Sequence, residues 1–330
     1  MCRVRRSSLL ALLLALALAP LARAQGVAAA PSLPITIDGD PSDWGAFACP
    51  QNLTWYYVNV NGFNQWIWCD PEGDERTDFT GLDSKVPDPR VDLFQFRLTA
   101  DENFLYGLVT VKSMDFIYLG ENGATFVAIT FNVNGAGYEV YFAGMSDTNV
   151  SSNAKWLYQL VINLADSRFT GQGKTQTTWP LNESNWGAIW YLVNSSWSFV
   201  TDPSGTAQMG VNTAKNAIEF RIPWTLIGGP PKDTSFFLRI ELITARGWSN
   251  YAKDGGGTWD IGGSDALDAM TDVSGNTWYE VSDGVVDYYA DVYFNTSPPY
   301  QPIPEAPLVA AVVAAVAIPL ALFLNRRRAR

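Results

Sequence analysis

The sequence contains no histidine among its 330 residues. Catalytic groups of the Ser-His-Asp and Cys-His types need an imidazole as general base, and zinc sites commonly use histidine as a ligand. The sequence also lacks a glycine-rich loop of the kind that holds a phosphate group. Glycoside hydrolysis needs two carboxylates across a cleft, and with 33 acidic residues no particular pair stands out. We therefore expect a protein that is not an enzyme.

Basic residues are also few, with 22 Lys and Arg against 33 Asp and Glu. Eight of the 22 lie in the two ends of the chain, which leaves 14 basic residues and a net charge of −19 between those ends. Such a surface repels nucleic acid and anionic lipid and attracts cations. Nucleic-acid binding is therefore not expected.

Long uncharged runs occur at the two ends. Residues 1–25 combine early arginines, an apolar run and a small-residue exit, which is typical of a secretory signal peptide, and 26–32 form a linker. Near the other end, 308–325 predict one transmembrane helix, because 17 uncharged residues precede the arginine-rich cytoplasmic tail 326–330. We expect display on a cell surface, anchored in the cytoplasmic membrane. Five sequons, at Asn52, Asn149, Asn182, Asn194 and Asn295, permit glycosylation.

Cysteine is scarce as well. Cys2 leaves with the signal peptide, so the exported chain holds Cys49 and Cys69 alone. Two cysteines in an exported protein are usually paired. A bridge between them would close a loop of about 20 residues and stabilise the fold by roughly 3 kcal/mol.

No helical period is sustained between the two ends of the chain. Short alternating runs such as 126–131, 218–222 and 236–244 are separated by turns rich in Asn, Ser and Gly. This pattern predicts an all-β ectodomain over 33–296, folded as an antiparallel β-sandwich, with a Pro-rich linker at 297–307.

The strongest local signal is Asn61-Gly62, a dipeptide typical of tight hairpin turns. If these two residues form the turn, Trp55 lies opposite Trp68, and Tyr57 lies opposite Trp66 on the same face. The four rings then form a ladder. Cross-strand aromatic pairs are ordinary core packing. The functional alternative is a platform on which sugar rings stack.

An acidic turn follows this hairpin. Calcium prefers six to eight oxygen ligands, with glycine where the chain turns around the ion. The predicted ligands are carboxylates on either side of Gly73 and at the start of the next strand: Asp70, Glu72, Asp74, Asp78 and Asp92. The alternative is a solvated turn. A second acidic stretch, 253–276, is expected to be a surface loop or a binding rim.

Several short motifs resemble the family 9 carbohydrate-binding-module superfamily, which includes DOMON-like domains and the C-terminal module of glucodextranases. The sequence Asp70-Pro71-Glu72-Gly73-Asp74 is followed by 92–96 and by Asp101-Glu102-Asn103-Phe104-Leu105-Tyr106, and 35–44 and 217–224 extend the similarity. The resemblance implies a β-sandwich that binds sugars or, in some relatives, haem, often with structural calcium. Residues 303–307 similarly resemble the sorting tails that sortase-like enzymes of the exosortase or archaeosortase type recognise.

The functional expectation is a surface glycan-binding protein that recognises a polysaccharide by aromatic stacking. The predicted contacts are the hairpin rings and a second aromatic group: Trp55, Tyr57, Trp66 and Trp68, with Trp186, Trp190 and Trp197. One alternative is a structural envelope protein whose aromatic patches mediate self-association. A third is a haem protein, for which Met114 and Lys112 are the available axial ligands in the absence of histidine.

Overall fold

The computed structural model describes the following residues: 33–50, 55–75, 92–114, 124–137, 148–163, 176–180, 187–193, 196–228, 236–247, 266–271, 284–294 and 302–303. Within these ranges no helix is long and apolar enough to cross a membrane. The predicted signal peptide and the predicted spanning segment 308–325 lie outside them.

The described residues form strands with almost no helix, which confirms the all-β prediction. The strands are β1 Trp55–Val60, β2 Phe63–Cys69, β3 Leu93–Ala100, β4 Phe104–Val111, β5 Ala124–Val133, β6 Asn149–Val150, β7 Tyr158–Asn163, β8 Gln176–Pro180, β9 Gly187–Val193, β10 Ser196–Phe199, β11 Gln208–Asn212, β12 Ala217–Pro223, β13 Phe237–Gly247, β14 Ala266–Ala269, β15 Val285–Val286, β16 Ala290–Phe294 and β17 Pro302–Ile303. Single-turn 3-10 helices span Pro41–Trp44 and Trp224–Leu226.

The longer strands form two antiparallel sheets. The first has the order β1-β2-β3-β4-β12-β11-β8, and the second has the order β10-β9-β7-β5-β13-β16-β17, with β14 pairing the far end of β13. Side chains from both sheets share one core, in which Phe96 and Phe220 of the first sheet lie with Phe131 and Leu242 of the second. The architecture is therefore a β-sandwich.

The outer face of the first sheet is covered by residues 33–48. Leu33, Ile35, Ile37 and Trp44 pack there against side chains of β2 and β4. This arrangement follows from strand geometry, because successive side chains point to opposite faces and a sheet buried on both faces needs a cover for each.

The hairpin register is confirmed. Trp55 pairs with Trp68, Tyr57 with Trp66, and Tyr56 with Ile67. Asn61 and Gly62 have φ of 55° and 89°, the left-handed values that a two-residue turn requires. The predicted disulfide is also confirmed, because Cys49 and Cys69 are bonded with their Cα atoms 5.6 Å apart.

The acidic stretch 253–276 departs from expectation where the structure describes it. Residues 266–269 form β14, and all four of its side chains are buried. The predicted surface loop is wrong there, because β14 pairs with β13 and becomes part of the second sheet. This places Asp268 inside the molecule, with no exposed area.

Candidate functional site: an aromatic groove and a buried carboxylate cluster

The inward face of β2 carries Trp66, Trp68 and then Asp70. The first two are linked directly to the opposite sheet. Trp66 Nε1 donates to the Tyr293 carbonyl oxygen at 3.3 Å, and Trp68 Nε1 donates to the Thr271 carbonyl oxygen at 3.0 Å. Asp70 comes two residues later, where the chain meets β14.

Trp68 is completely buried, and 6% of the surface of Trp66 is exposed. The prediction that Trp68 offers a face to a sugar is therefore wrong for this fold, since the second sheet covers the ring. Trp55 and Tyr57 are half-buried at the margin of the core, where Trp55 packs against Trp66 with ring centroids 6.2 Å apart. The two rings of β2 therefore belong to the core, and the two rings of β1 lie at its margin.

An open groove of about 430 Å³ lies beside these marginal rings. Trp55, Tyr57 and Trp66 line one side, and the segment before and within β16 lines the other, with Tyr288 and Asp291. Its volume falls in the range of about 300–1,000 Å³ that is typical of small-molecule sites. Three of the four predicted hairpin rings therefore meet at one surface feature.

An ion pair lies on the outer face of the strand that borders the groove, because Ala290 and Val292 on either side of Asp291 face the core. Arg239 donates to both carboxylate oxygens of Asp291, from Nε at 2.6 Å and from Nη2 at 2.7 Å. Its guanidinium also lies 3.9 Å from the ring centroid of Tyr289, which lines the groove. Such a two-point contact fixes the orientation of Asp291. On the aromatic side, the Tyr57 hydroxyl accepts a hydrogen bond from Asn64 at 2.8 Å.

The second predicted aromatic group is described only in part. Trp186 lies outside the described residues. Trp190 and Trp197 are placed by their backbone, in the neighbouring strands β9 and β10. Their role stays a prediction.

Three buried carboxylates meet where β2 ends. Asp70, Asp74 and Asp268 each offer an oxygen within 4.8 Å of the other two. Within the described part of the chain, neither oxygen of Asp70 accepts a hydrogen bond from an N–H group, although the residue is only 4% exposed. A buried carboxylate without donors is costly unless it coordinates a metal or takes up a proton. These three residues could hold a metal ion.

Two further acids extend this carboxylate cluster. Burial, reinforced by Asp268 and Asp74, holds the pKa of Asp70 well above its usual range. Burial likewise raises the pKa of Glu75 and of Asp92. The nearby cation is Lys112, which lies 3.1 Å from Asp92 at the edge of the cluster. The cluster therefore attracts cations or protons.

The predicted calcium ligands separate into three groups. Asp70 and Asp74 belong to the cluster, and Asp92 lies next to it, where Oδ2 accepts the Gly73 amide at 2.9 Å. Glu72 is exposed on the surface and is not one of the three carboxylates that meet in the cluster. Asp78 lies outside the described residues.

Sequence reasoning missed Asp268 as a ligand. Its Oδ2 accepts the amide of Leu93 at 2.7 Å, and its Oδ1 accepts the amide of Ala269 at 2.8 Å. The available signal was the pattern Ala266-Leu267-Asp268-Ala269-Met270, a single acid inside an apolar run. An aspartate that such a run carries into the core needs a partner there.

No family model matches the chain, and no curated protein is significantly similar to it.

Proposed function

We propose that this protein binds a carbohydrate chain, without catalysis, in the groove lined by Trp55, Tyr57 and Trp66. The observation that carries the proposal is the meeting of these three rings in one open groove. Aromatic faces offer flat apolar area to the C–H face of a sugar, while the Tyr57 hydroxyl can exchange hydrogen bonds with its hydroxyl groups. Binding sites of this kind combine an apolar body with a few oriented polar groups.

The groove favours binding over hydrolysis. Glycosidases place two carboxyl groups on either side of the scissile bond. Among the described residues that line this groove, Asp291 is the single acid, and both of its oxygens are engaged by Arg239. The geometry supports recognition and orientation of a ligand.

Calorimetric titration of the purified protein with a panel of neutral oligosaccharides tests this proposal. Trp55→Ala is expected to weaken binding at least about tenfold, since an aromatic contact contributes on the order of 1 kcal/mol beyond its buried area. Tyr56→Ala is the matched control, because Tyr56 lies on the opposite face of β1 and packs against Phe47. Equal losses in both variants, or no saturable binding of any oligosaccharide, would refute the proposal.

We also propose that calcium occupies the carboxylate cluster with a structural role. The residues fit a hard cation, because Asp70, Asp74 and Asp268 offer only oxygen, with Glu75 and Asp92 close by. An ion there would neutralise buried repulsion and join the end of β2 to β14.

Terbium luminescence tests the ion site independently of sugar binding. Terbium is a calcium mimic that is sensitised by nearby indole, and Trp68 precedes Asp70 by two residues. We expect a saturable signal that calcium displaces and that Asp268→Asn abolishes. Glu72→Gln is the control and should bind terbium like the unmodified protein. A signal lost in Glu72→Gln but retained in Asp268→Asn would contradict the assignment.

The assembly alternative is favoured by one specific observation. No charged residue occurs from 50 to 69, and β1 is the outermost strand of its sheet. Natural proteins commonly protect such edges with charge or proline. If self-association through this edge is the function, Val58→Lys should reduce the molar mass measured by light scattering, and Val58→Thr should not. A monomeric unmodified protein at high concentration would exclude this alternative.

The haem alternative has no comparable support. Met114 is buried in the main core, and Lys112 is paired with Asp92. Secretion and anchoring at the cell surface remain part of the proposal, on the strength of residues 1–25 and 308–330. Fractionation of cells that express the full chain, with and without 308–330, tests the anchor: the shortened chain should be released.

A further inference from the structure

A second groove lies on the outer face of the first sheet, away from the aromatic groove. It has a volume of about 860 Å³. Residues 40–48 form one wall, β3 and β4 form the floor, and the turn at Lys215 and Asn216 forms the other wall. The carbohydrate proposal makes no use of this groove.

Arg97 lies in the floor of this groove and is only 5% exposed. Its Nη1 donates to the carbonyl oxygen of Gly45 at 2.8 Å and to that of Trp44 at 3.2 Å, and its Nε donates to Gln95. These bonds hold residues 44–45 against the sheet. The remaining nitrogen, Nη2, donates to no described residue.

Among the residues that the structure describes, no carboxylate is paired with Arg97. Its described partners are neutral oxygens, and burial lowers its pKa to about 10 without an acidic neighbour to oppose that shift. Two acids line the groove, but Asp40 accepts the amide of Ser42 and Glu72 is exposed at the rim. A buried charge without a counter-charge is expensive, whereas an oxyanion beside a guanidinium restores the balance.

We propose that this groove binds a small organic carboxylate, such as a sugar acid, with its oxyanion at Nη2 of Arg97. Lys215 lies on the far wall and adds positive charge at the entrance. The half-buried rings of Phe47 and Phe94, beside Leu108, provide apolar area for a carbon skeleton. An inorganic ion would leave that apolar area unused. The proposal does not depend on the aromatic groove.

The test is titration of the full-length Trp55→Ala variant, whose aromatic groove has lost a sugar contact, with glucuronate and with glucose as the matched neutral sugar. Calorimetry should show saturable binding of glucuronate and none of glucose at the same concentration. Inorganic sulfate and phosphate form the third arm and should bind more weakly than glucuronate. If sulfate or phosphate binds and glucuronate does not, or if glucose binds equally well, the proposal is wrong.

Two kinds of variant locate the site. Arg97→Lys keeps the charge but loses the fork, and we expect at least a tenfold loss of glucuronate affinity. Thr110→Trp or Ala48→Trp fills the groove from the floor or from the wall and should abolish binding while circular dichroism stays unchanged. These two positions leave the bonds of Arg97 intact, so they remain informative if Arg97→Lys fails to fold. Trp55→Ala should bind glucuronate normally; unchanged binding in both filled variants would overturn the site.

Discussion

At the scale of single residues, the buried carboxylate of Glu219 holds a segment that lies about 180 positions earlier in the chain, residues 38–44. Its Oε2 accepts the amides of Asp38 at 2.9 Å and Gly39 at 2.7 Å, and its Oε1 accepts Trp44 Nε1 at 2.8 Å. It is completely buried, and burial raises its pKa to about 7. One side chain in β12 thus anchors the chain that covers the first sheet.

This raised pKa predicts a pH-dependent stability. The folded protein holds the Glu219 proton up to a higher pH than the unfolded chain does, so the free energy of unfolding should fall as pH rises from 4.5 to about 7. The contribution is on the order of 3 kcal/mol. Urea unfolding across this range measures it, and Glu219→Gln should flatten the dependence at a cost of about 1–3 kcal/mol for the acceptor lost to Trp44.

Glu72→Gln is the control for that experiment, because the residue is exposed, and its pH profile should match that of the unmodified protein. A profile for Glu219→Gln that parallels the unmodified protein would show that another group carries the dependence.

Asp70 allows a test of the cation site, because its charge should destabilise the fold without a cation and stabilise it when a cation is bound. In chelator, Asp70→Asn should melt at the same temperature as the unmodified protein or higher, since repulsion with Asp74 and Asp268 is relieved. In excess calcium the order should reverse. At 100 times the dissociation constant, a bound ion contributes about 2.7 kcal/mol, or roughly 5–10 °C for a domain of this size. Calorimetry in both buffers measures the two melting temperatures. If the same protein melts higher in chelator and in calcium, Asp70 has no role in binding a cation.

At the scale of elements, the hairpin β1–β2 joins the features that matter for function. The groove rings lie in its open half, and the disulfide and the first carboxylate of the cluster follow directly where β2 ends. Cys69 directly precedes Asp70, so the covalent bridge to Cys49 also restrains the carboxylate. Local order at the cluster should therefore depend on the bridge.

Removing the bridge should have two measurable effects. The pair Cys49→Ser and Cys69→Ser should lower the free energy of unfolding by about 3 kcal/mol, as expected for a loop of about 20 residues. It should also weaken calcium binding, because Asp70 becomes free to move. Urea unfolding and terbium titration measure the two effects. A stability loss with unchanged terbium affinity would show that the bridge and the cluster act separately.

At the scale of the whole molecule, short sequence patterns predicted the features that neighbouring residues determine, such as turns and strand positions. Asn61-Gly62 determined the register of the six residue pairs between β1 and β2, and alternation located β12 and most of β13. The face of the hairpin that would be buried was not predictable, because it depends on where β14 and β16 arrive from more than 200 residues away. The same reason hid Asp268, whose partner amide lies 175 positions earlier. Pairing between distant segments leaves no trace in a short window of sequence.

That separation along the chain has a consequence for the order of folding. The carboxylate cluster is complete only after residues 70–74 and 268 have come together, and long-range contacts of this kind are costly to close early. We expect calcium to act after the rate-limiting barrier has been crossed, so it should slow unfolding and leave the refolding rate nearly unchanged. Stopped-flow traces with calcium and with chelator measure both rates. Faster refolding in calcium would instead place the two sheets together at the barrier itself, and the ion would then be a nucleation centre for the sandwich.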